Sequence, residues 1–293
     1  MNPRPLLILC LLAGATPVVV GASKTLHEER SLYRNIIVYQ DGQERCLKFG
    51  RRDGARQTCR LQNDPDHLIF GYTRMMMASL YLNPAPKRVL IVGLGGGTLP
   101  AAIRKVAPTA QIDVVEIDPA VSRVAYNYFG FTPGPLTRVH EQDGRVFIKK
   151  KLREKATYDL VMLDAFTDQY IPEHLLTQEF LQEVKGVLAP DGVIAANTFS
   201  DSGLYHHESA TYASVFGQFF GLKTNSRVIL SRLGSLPTRE ELQANADALE
   251  EKLRPMGTGK DWLLPKFAIE TGWPKGTRVL TDQYSPANLL NLR

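Results

Sequence analysis

Arg88-Val-Leu-Ile-Val-Gly-Leu-Gly-Gly-Gly-Thr98 is the stretch that decides the fold. An apolar strand runs straight into a glycine cluster, and Leu99 to Val106 then carry helical spacing. Gly93, Gly95, Gly96 and Gly97 let the backbone turn sharply and approach a ligand where a Cβ would clash. A second strand, Gln111-Ile-Asp-Val-Val-Glu-Ile-Asp118, follows and carries Glu116 near its end. An acid at that tip is where a fold of this type grips a ribose diol. A glycine-rich turn alone often marks only a tight bend. Strand, glycines, helix, strand and acid together point to a nucleoside site.

From Lys87 to about Phe199 the alternation continues. Strands are expected at 88–93, 111–117, 137–140, 158–164 and 192–198, with helices at 98–106, 119–129, 144–153 and 177–187 between them. Such alternation predicts an α/β fold with a parallel, doubly wound sheet, Rossmann-like, whose ligands sit at the carboxyl ends of the strands. Upstream, strand-like runs at 35–40, 45–49 and 57–61 are split by turns at Asp41-Gly42 and Asp53-Gly54. They predict a small antiparallel β domain over residues 23–64, followed by the nucleoside-binding domain over 65–293. A helix is expected over 65–83, with Met75-Met76-Met77 as core. A helix at 209–220, a strand at 222–230, a helix at 238–253 and a strand near 278–280 complete the chain.

The N-terminus reads as an export signal: Arg4, an apolar core from Leu6 to Ala13, and a small-residue cleavage site at Val20-Gly21-Ala22. Gly14 and Pro17 interrupt the apolar run, which argues against a permanent span. The expected product is an exported, periplasmic or secreted chain beginning at Ser23, with no membrane attachment after cleavage. Two cysteines then remain, Cys46 and Cys59, flanking a turn-like segment. An oxidising compartment and an even count favour a disulfide, with two free thiols in a cytosolic protein as the alternative. The 293 residues carry a net charge of +5, but the basic residues are scattered. The densest run, Lys149-Lys150-Lys151, ends an expected helix, where cations complement the dipole. No nucleic-acid partner is expected, and no metal site: His206 and His207 are adjacent on a helix and point apart.

Each strand end offers something polar: the glycines, Glu116 with Asp118, Gln142-Asp143-Gly144, Asp164, and Asn197-Thr198. Asp118 precedes Pro119 and reads as a helix cap. Asp143 also suits a cap. Asp164 emerges from Asp159-Leu-Val-Met-Leu163 and is followed by Phe166, Tyr170 and Ile171, a segment suited to covering a substrate. A carboxylate held there can orient an attacking amine and accept its proton.

These residues resemble the polyamine aminopropyltransferases, the spermidine synthase family. The likeness rests on the N-terminal strand region, Val89 to Gly97, Val115-Glu-Ile-Asp118, Gln142-Asp-Gly144, Tyr158 to Asp164, Leu188-Ala-Pro-Asp-Gly192 and the tail Leu280-Thr-Asp-Gln-Tyr-Ser-Pro286. It implies a methyltransferase-like Rossmann domain with a small N-terminal β domain. The implied activity is aminopropyl transfer from decarboxylated S-adenosylmethionine to an amine, with no tightly bound cofactor. By the same resemblance Gly93, Gly95 and Gly97 cradle the donor, Glu116 holds the ribose, Asp143 the adenine amino group, and Asp164 is the base. Tyr72 and Asp168 are the implied acceptor contacts, and a homodimer is implied.

Three positions depart from the family. Gly96 stands where the loop carries an aspartate, Tyr72-Thr73-Arg74 replaces Tyr-His-Glu, and Thr167 replaces the second aspartate, leaving Asp168 one place late. The nucleoside half is intact and the polyamine half rewritten. An S-adenosylmethionine-dependent methyltransferase and a non-catalytic nucleoside- or polyamine-binding protein therefore remain open.

Overall fold

The computed structural model describes residues 23–50, 54–165 and 172–290. The expected leader (residues 1–22) lies outside them, as do Asp53 of one expected turn and the covering segment with Phe166, Asp168, Tyr170 and Ile171.

Four strands come first: β1 (Lys24–Arg30), β2 (Asn35–Asp41), β3 (Glu44–Phe49) and β4 (Arg56–Leu61). They form an antiparallel sheet in chain order. β1 was not expected from its sequence, Lys-Thr-Leu-His-Glu-Glu-Arg, which has one large apolar residue and no alternation. It is an edge strand that takes its hydrogen bonds from β2. Cys46 of β3 faces Cys59 of β4 in register, and the two are joined in a disulfide.

Helix α1 (Gly71–Met77) runs into a 3-10 turn at Ala78–Tyr81. The helix is shorter than the expected 65–83, and residues 65–70 form an irregular approach. Met75, Met76 and Met77 are fully buried. There follow β5 (Arg88–Val92), α2 (Thr98–Val106), β6 (Gln111–Glu116), α3 (Pro119–Tyr128), β7 (Thr137–Glu141), α4 (Gly144–Arg153), β8 (Tyr158–Leu163), α5 (Gln178–Gly186) and β9 (Leu188–Thr198). The last part contains α6 (Leu204–Phe216), β10 (Phe220–Lys223), β11 (Arg227–Arg232), α7 (Arg239–Leu253), and the short helices α8 (Lys260–Leu263) and α9 (Ala287–Leu290). None of the helices among the described residues is long and apolar enough to cross a membrane.

The main sheet has the order β10-β11-β9-β8-β5-β6-β7. The five strands from β9 to β7 are parallel, as expected, but β10 and β11 run antiparallel and make the sheet mixed. The single strand expected at 222–230 is in fact this hairpin, turned at Thr224–Ser226, where the Thr224 N–H donates to the Ser226 carbonyl at 2.9 Å. Arg278–Leu280 forms no strand.

Alternate residues of β5 enter different cores. Val89 and Ile91 pack with α1, α2 and α7, whereas Leu90 and Val92 pack with α4, α5 and α6. Burial on both faces explains the unbroken apolar run that marks this strand in the sequence. Helix α3 serves the other sheet: Ala120, Val121 and Val124 bury against Ile36, Val38 and Leu47. Each of these valine, isoleucine and leucine side chains contributes about 1.5–3 kcal/mol when fully buried. The small sheet is thereby fixed against the strand ends of the large one.

The disulfide closes a loop of 13 positions. In the chain-entropy model such a loop contributes about 3 kcal/mol. Replacing both cysteines (Cys46→Ala with Cys59→Ala) is expected to lower the unfolding free energy by about that amount in a denaturant melt. An unchanged midpoint would show that the hairpin gains nothing from the bond.

Candidate active site

The strand order reverses direction around β5. β6 follows it on one side, while β8 lies on the other. A cleft opens at the carboxyl ends of such a pair. Here the two backbones nearly touch: the Asp164 N–H donates to the Val92 carbonyl at 2.8 Å, and a Cβ on Gly93 would overlap the Asp164 carbonyl. Gly93 also sits at φ +103°, a conformation that other residues rarely adopt.

The cleft measures about 1030 Å³ with its open mouth included. Gly93, Gly95, Glu116, Asp143, Asp164 and Tyr72 all line it, so the expected site residues from four strand ends and one helix converge. Gly97 stands just behind, at φ +81° as the N-cap of α2, with its α-carbon against Phe131. Asp168 lies outside the described residues.

Glu116 accepts from the Leu94 N–H and the Asp118 N–H, both at 3.0 Å. Burial pushes its carboxyl up, and those two backbone donors and the Arg34 guanidinium oppose the shift. Each oxygen keeps a further lone pair that a sugar hydroxyl can use. Asp118 is a cap, as expected: its side chain accepts from the Ala120 N–H at 3.0 Å.

Asp143 caps α4 through the Val146 N–H at 2.9 Å. Its other oxygen meets His174 Nε2 at 2.8 Å. Asp143 is therefore a cap, as expected, and a residue of the cleft wall at once.

Asp164 sits at the floor, partly open to the cleft. Loss of water around it pushes its carboxyl up to about 7, helped by the nearby Glu116 charge. The Asn197 amide, donating at 3.1 Å, and the Tyr72 hydroxyl both favour the ionised form. Tyr72 in turn is held well above its ordinary range, first by burial and then by the Asp164 charge. The pair is thus a neutral phenol donating to a carboxylate poised near neutrality.

Much of the wall was not singled out in the sequence. Arg34, Phe49, Gln57 and Thr58 come from the small sheet, and Pro172, His174 and Leu175 from the approach to α5. The Arg34 guanidinium lies over the Phe49 ring at 4.4 Å. No local motif marks these residues, because they come from different segments and meet only when the two sheets dock. Arg74, where the family carries an acid, does not line the cleft: its guanidinium donates to the Ile69 carbonyl and stacks on Trp262. His207 turns Nδ1 to the Arg278 carbonyl at 2.7 Å.

Gly96 has a local reason to be glycine. Its N–H donates to Thr58 Oγ1 at 3.0 Å, and a Cβ would overlap the Thr58 methyl and press on the Phe129 ring. The family's aspartate has no room there. Gly96→Asp is expected to cost about 1–3 kcal/mol as an overpacked site, read as a lower melting temperature. A variant that melts like the parent would show that the loop yields freely.

Comparison with known proteins follows the same lines. Residues 69–230 match the model of the spermine/spermidine synthase domain. The chain is 47% identical to the polyamine aminopropyltransferase of Vibrio vulnificus over 99% of both chains. It is also 35% identical to the eEF1A lysine and N-terminal methyltransferase of Bos taurus, covering 68% of this chain and 31% of that one. Among solved structures, a probable spermidine synthase from Corynebacterium glutamicum superposes with a TM-score of 0.68 at 18% identity, covering 89% of this chain and 97% of that one, a likeness of fold. Human methyltransferase-like protein 13 in complex with SAH superposes with a TM-score of 0.59 at 30% identity, over 71% of this chain and 96% of that one. With a matched domain across more than half its length and a near end-to-end relative, the chain belongs to the spermine/spermidine synthase family.

Proposed function

We propose that this protein transfers the aminopropyl group of decarboxylated S-adenosylmethionine to an amine in polyamine biosynthesis, with Asp164 as the base. One observation carries the reading: a carboxylate held near neutrality opens into the same cleft as the ribose-type acid Glu116. The near end-to-end likeness to a polyamine aminopropyltransferase supports this donor.

The chemistry asks little beyond alignment. The amine nitrogen attacks the propyl carbon bonded to the sulfonium sulfur. The C–N bond forms as the C–S bond breaks, its electron pair returns to sulfur, and methylthioadenosine leaves. The excess proton on nitrogen passes to Asp164. Holding both reactants in line supplies most of the acceleration, and the carboxylate orients the amine and takes the proton. Glu116 holds the ribose, Asp143 faces the adenine amino group, and the loop from Gly93 to Gly97 lets the donor lie close to the backbone. Tyr72 and Asn197 favour the ionised form of Asp164 against the burial that opposes it.

A methyl-transfer reading draws on the methyltransferase relative and on Gly96, which leaves the loop without the acid that would repel a donor carboxylate. The two readings separate in one assay. The purified protein is incubated with each donor and a panel of diamines and polyamines, and products are weighed by mass spectrometry. The expected result is a mass gain of one aminopropyl group that disappears in Asp164→Asn. A methyl gain alone would replace this proposal with the second reading.

The pH profile tests the base independently. Asp164 works only when ionised, so kcat/KM for the donor, which reports the free protein, is expected to fall on the acidic side with an inflection near 7. Asn197→Leu removes a hydrogen bond that favours the carboxylate. It is expected to move that inflection to higher pH by about one unit, as a charge-assisted bond of about 1.5 kcal/mol would require. A limb that stays in place would remove Asp164 from the role of base.

A further inference from the structure

The C-terminal tail shows where the cleft wall gets its position. Arg145 is the second residue of α4, two places after Asp143, and only 8% exposed. Its Nε and Nη2 donate to Glu183, each at 2.8 Å. Nη1 and Nη2 donate to Asp282 at 2.7 and 2.8 Å, and Nη1 also reaches the His174 carbonyl at 3.2 Å. A guanidinium has five N–H bonds. All five are used, on two carboxylates and one carbonyl.

Asp282 is tied from several sides. It accepts from Thr177 Oγ1 at 2.7 Å, and its N–H donates to Glu179 at 2.9 Å. Next to it, the Leu280 carbonyl accepts from the Gln178 N–H at 2.7 Å, and Leu280 itself is buried beside Leu176 and Leu204. Further along, Asn288 donates to the Glu173 carboxylate at 3.1 Å. The tail therefore crosses residues 173–179, the segment that carries His174 and Leu175 into the cleft. The His174 ring ends on Asp143.

We propose that Asp282 is a positioning residue for the nucleoside donor. Through Arg145 it fixes the backbone of His174, which sets the imidazole against Asp143 and shapes the adenine end of the cleft. Asp282 itself does not line the cleft, so its effect is on donor binding and not on the reacting atoms. The proposal rests on reading the cleft as a nucleoside site.

The test uses the full chain with Asp282→Asn, Asp282→Glu and His174→Ala, each checked for a native circular dichroism spectrum. Loss of one ionised partner of a bidentate pair is expected to raise the donor KM and the methylthioadenosine Kd about tenfold. The amine KM is expected to stay unchanged, and kcat at saturating donor to stay within about twofold. Asp282→Glu should recover much of the loss. His174→Ala should give the same donor defect, and the Asp282→Asn/His174→Ala double variant should be no worse than either single one, because both act on one element. An unchanged donor KM in Asp282→Asn, or equal loss in kcat and both KM values, would overturn the proposal. So would fully additive defects in the double variant. Failure of the wild-type protein to bind methylthioadenosine would instead overturn the nucleoside reading beneath it, and the proposal with it.

Discussion

The close approach of β5 to β8 is the constraint on which the site depends. Where the two parallel strands end, the Asp164 N–H, one residue past β8, donates to the carbonyl of Val92, the last residue of β5. At that point the chain leaving β5 can only be glycine, because the Asp164 carbonyl fills the space a side chain would take. The same contact fixes where the Asp164 carboxylate emerges. The glycine loop and the Asp164 carboxylate are therefore set by one piece of backbone packing.

Around that point the polar groups differ in how they are satisfied. Glu116 is held by backbone N–H groups, Asp143 by a helix N-terminus and an imidazole, and Asp164 by an amide and a phenol. Each carboxylate has partners that fix its direction, and each residue lines the cleft. Burial raises Glu116 and Asp164, and their hydrogen bonds limit the rise. That balance leaves Asp164 close to neutrality, where a carboxylate can both hold an amine and accept its proton.

The parallel core was legible because burial on both faces writes an unbroken apolar run, and glycines mark the turn where the backbone must come close. Asp118, Asp143 and Asp164 were legible from their places at strand ends. β1 was not, since an edge strand needs no apolar face of its own. Nor was the β10–β11 hairpin, whose turn residues Thr224-Asn225-Ser226 interrupt what reads as a single apolar strand. The contributions of Thr58, Arg34 and His174 were hidden for another reason. They enter the cleft from segments far apart in the chain, and local pattern carries no record of docking. Gly96 is instructive in the same way: in the sequence it is a missing acid, and in the structure it is the residue that Thr58 and Phe129 demand.

Thr58 Oγ1 receives the Gly96 N–H while its own strand is stapled at the next residue, Cys59. The small sheet therefore braces the glycine loop at this hydroxyl, in addition to the apolar contact that α3 makes with β2 and β3. Damage to the leading strands is therefore felt at the glycine loop, even with every residue of the large sheet retained.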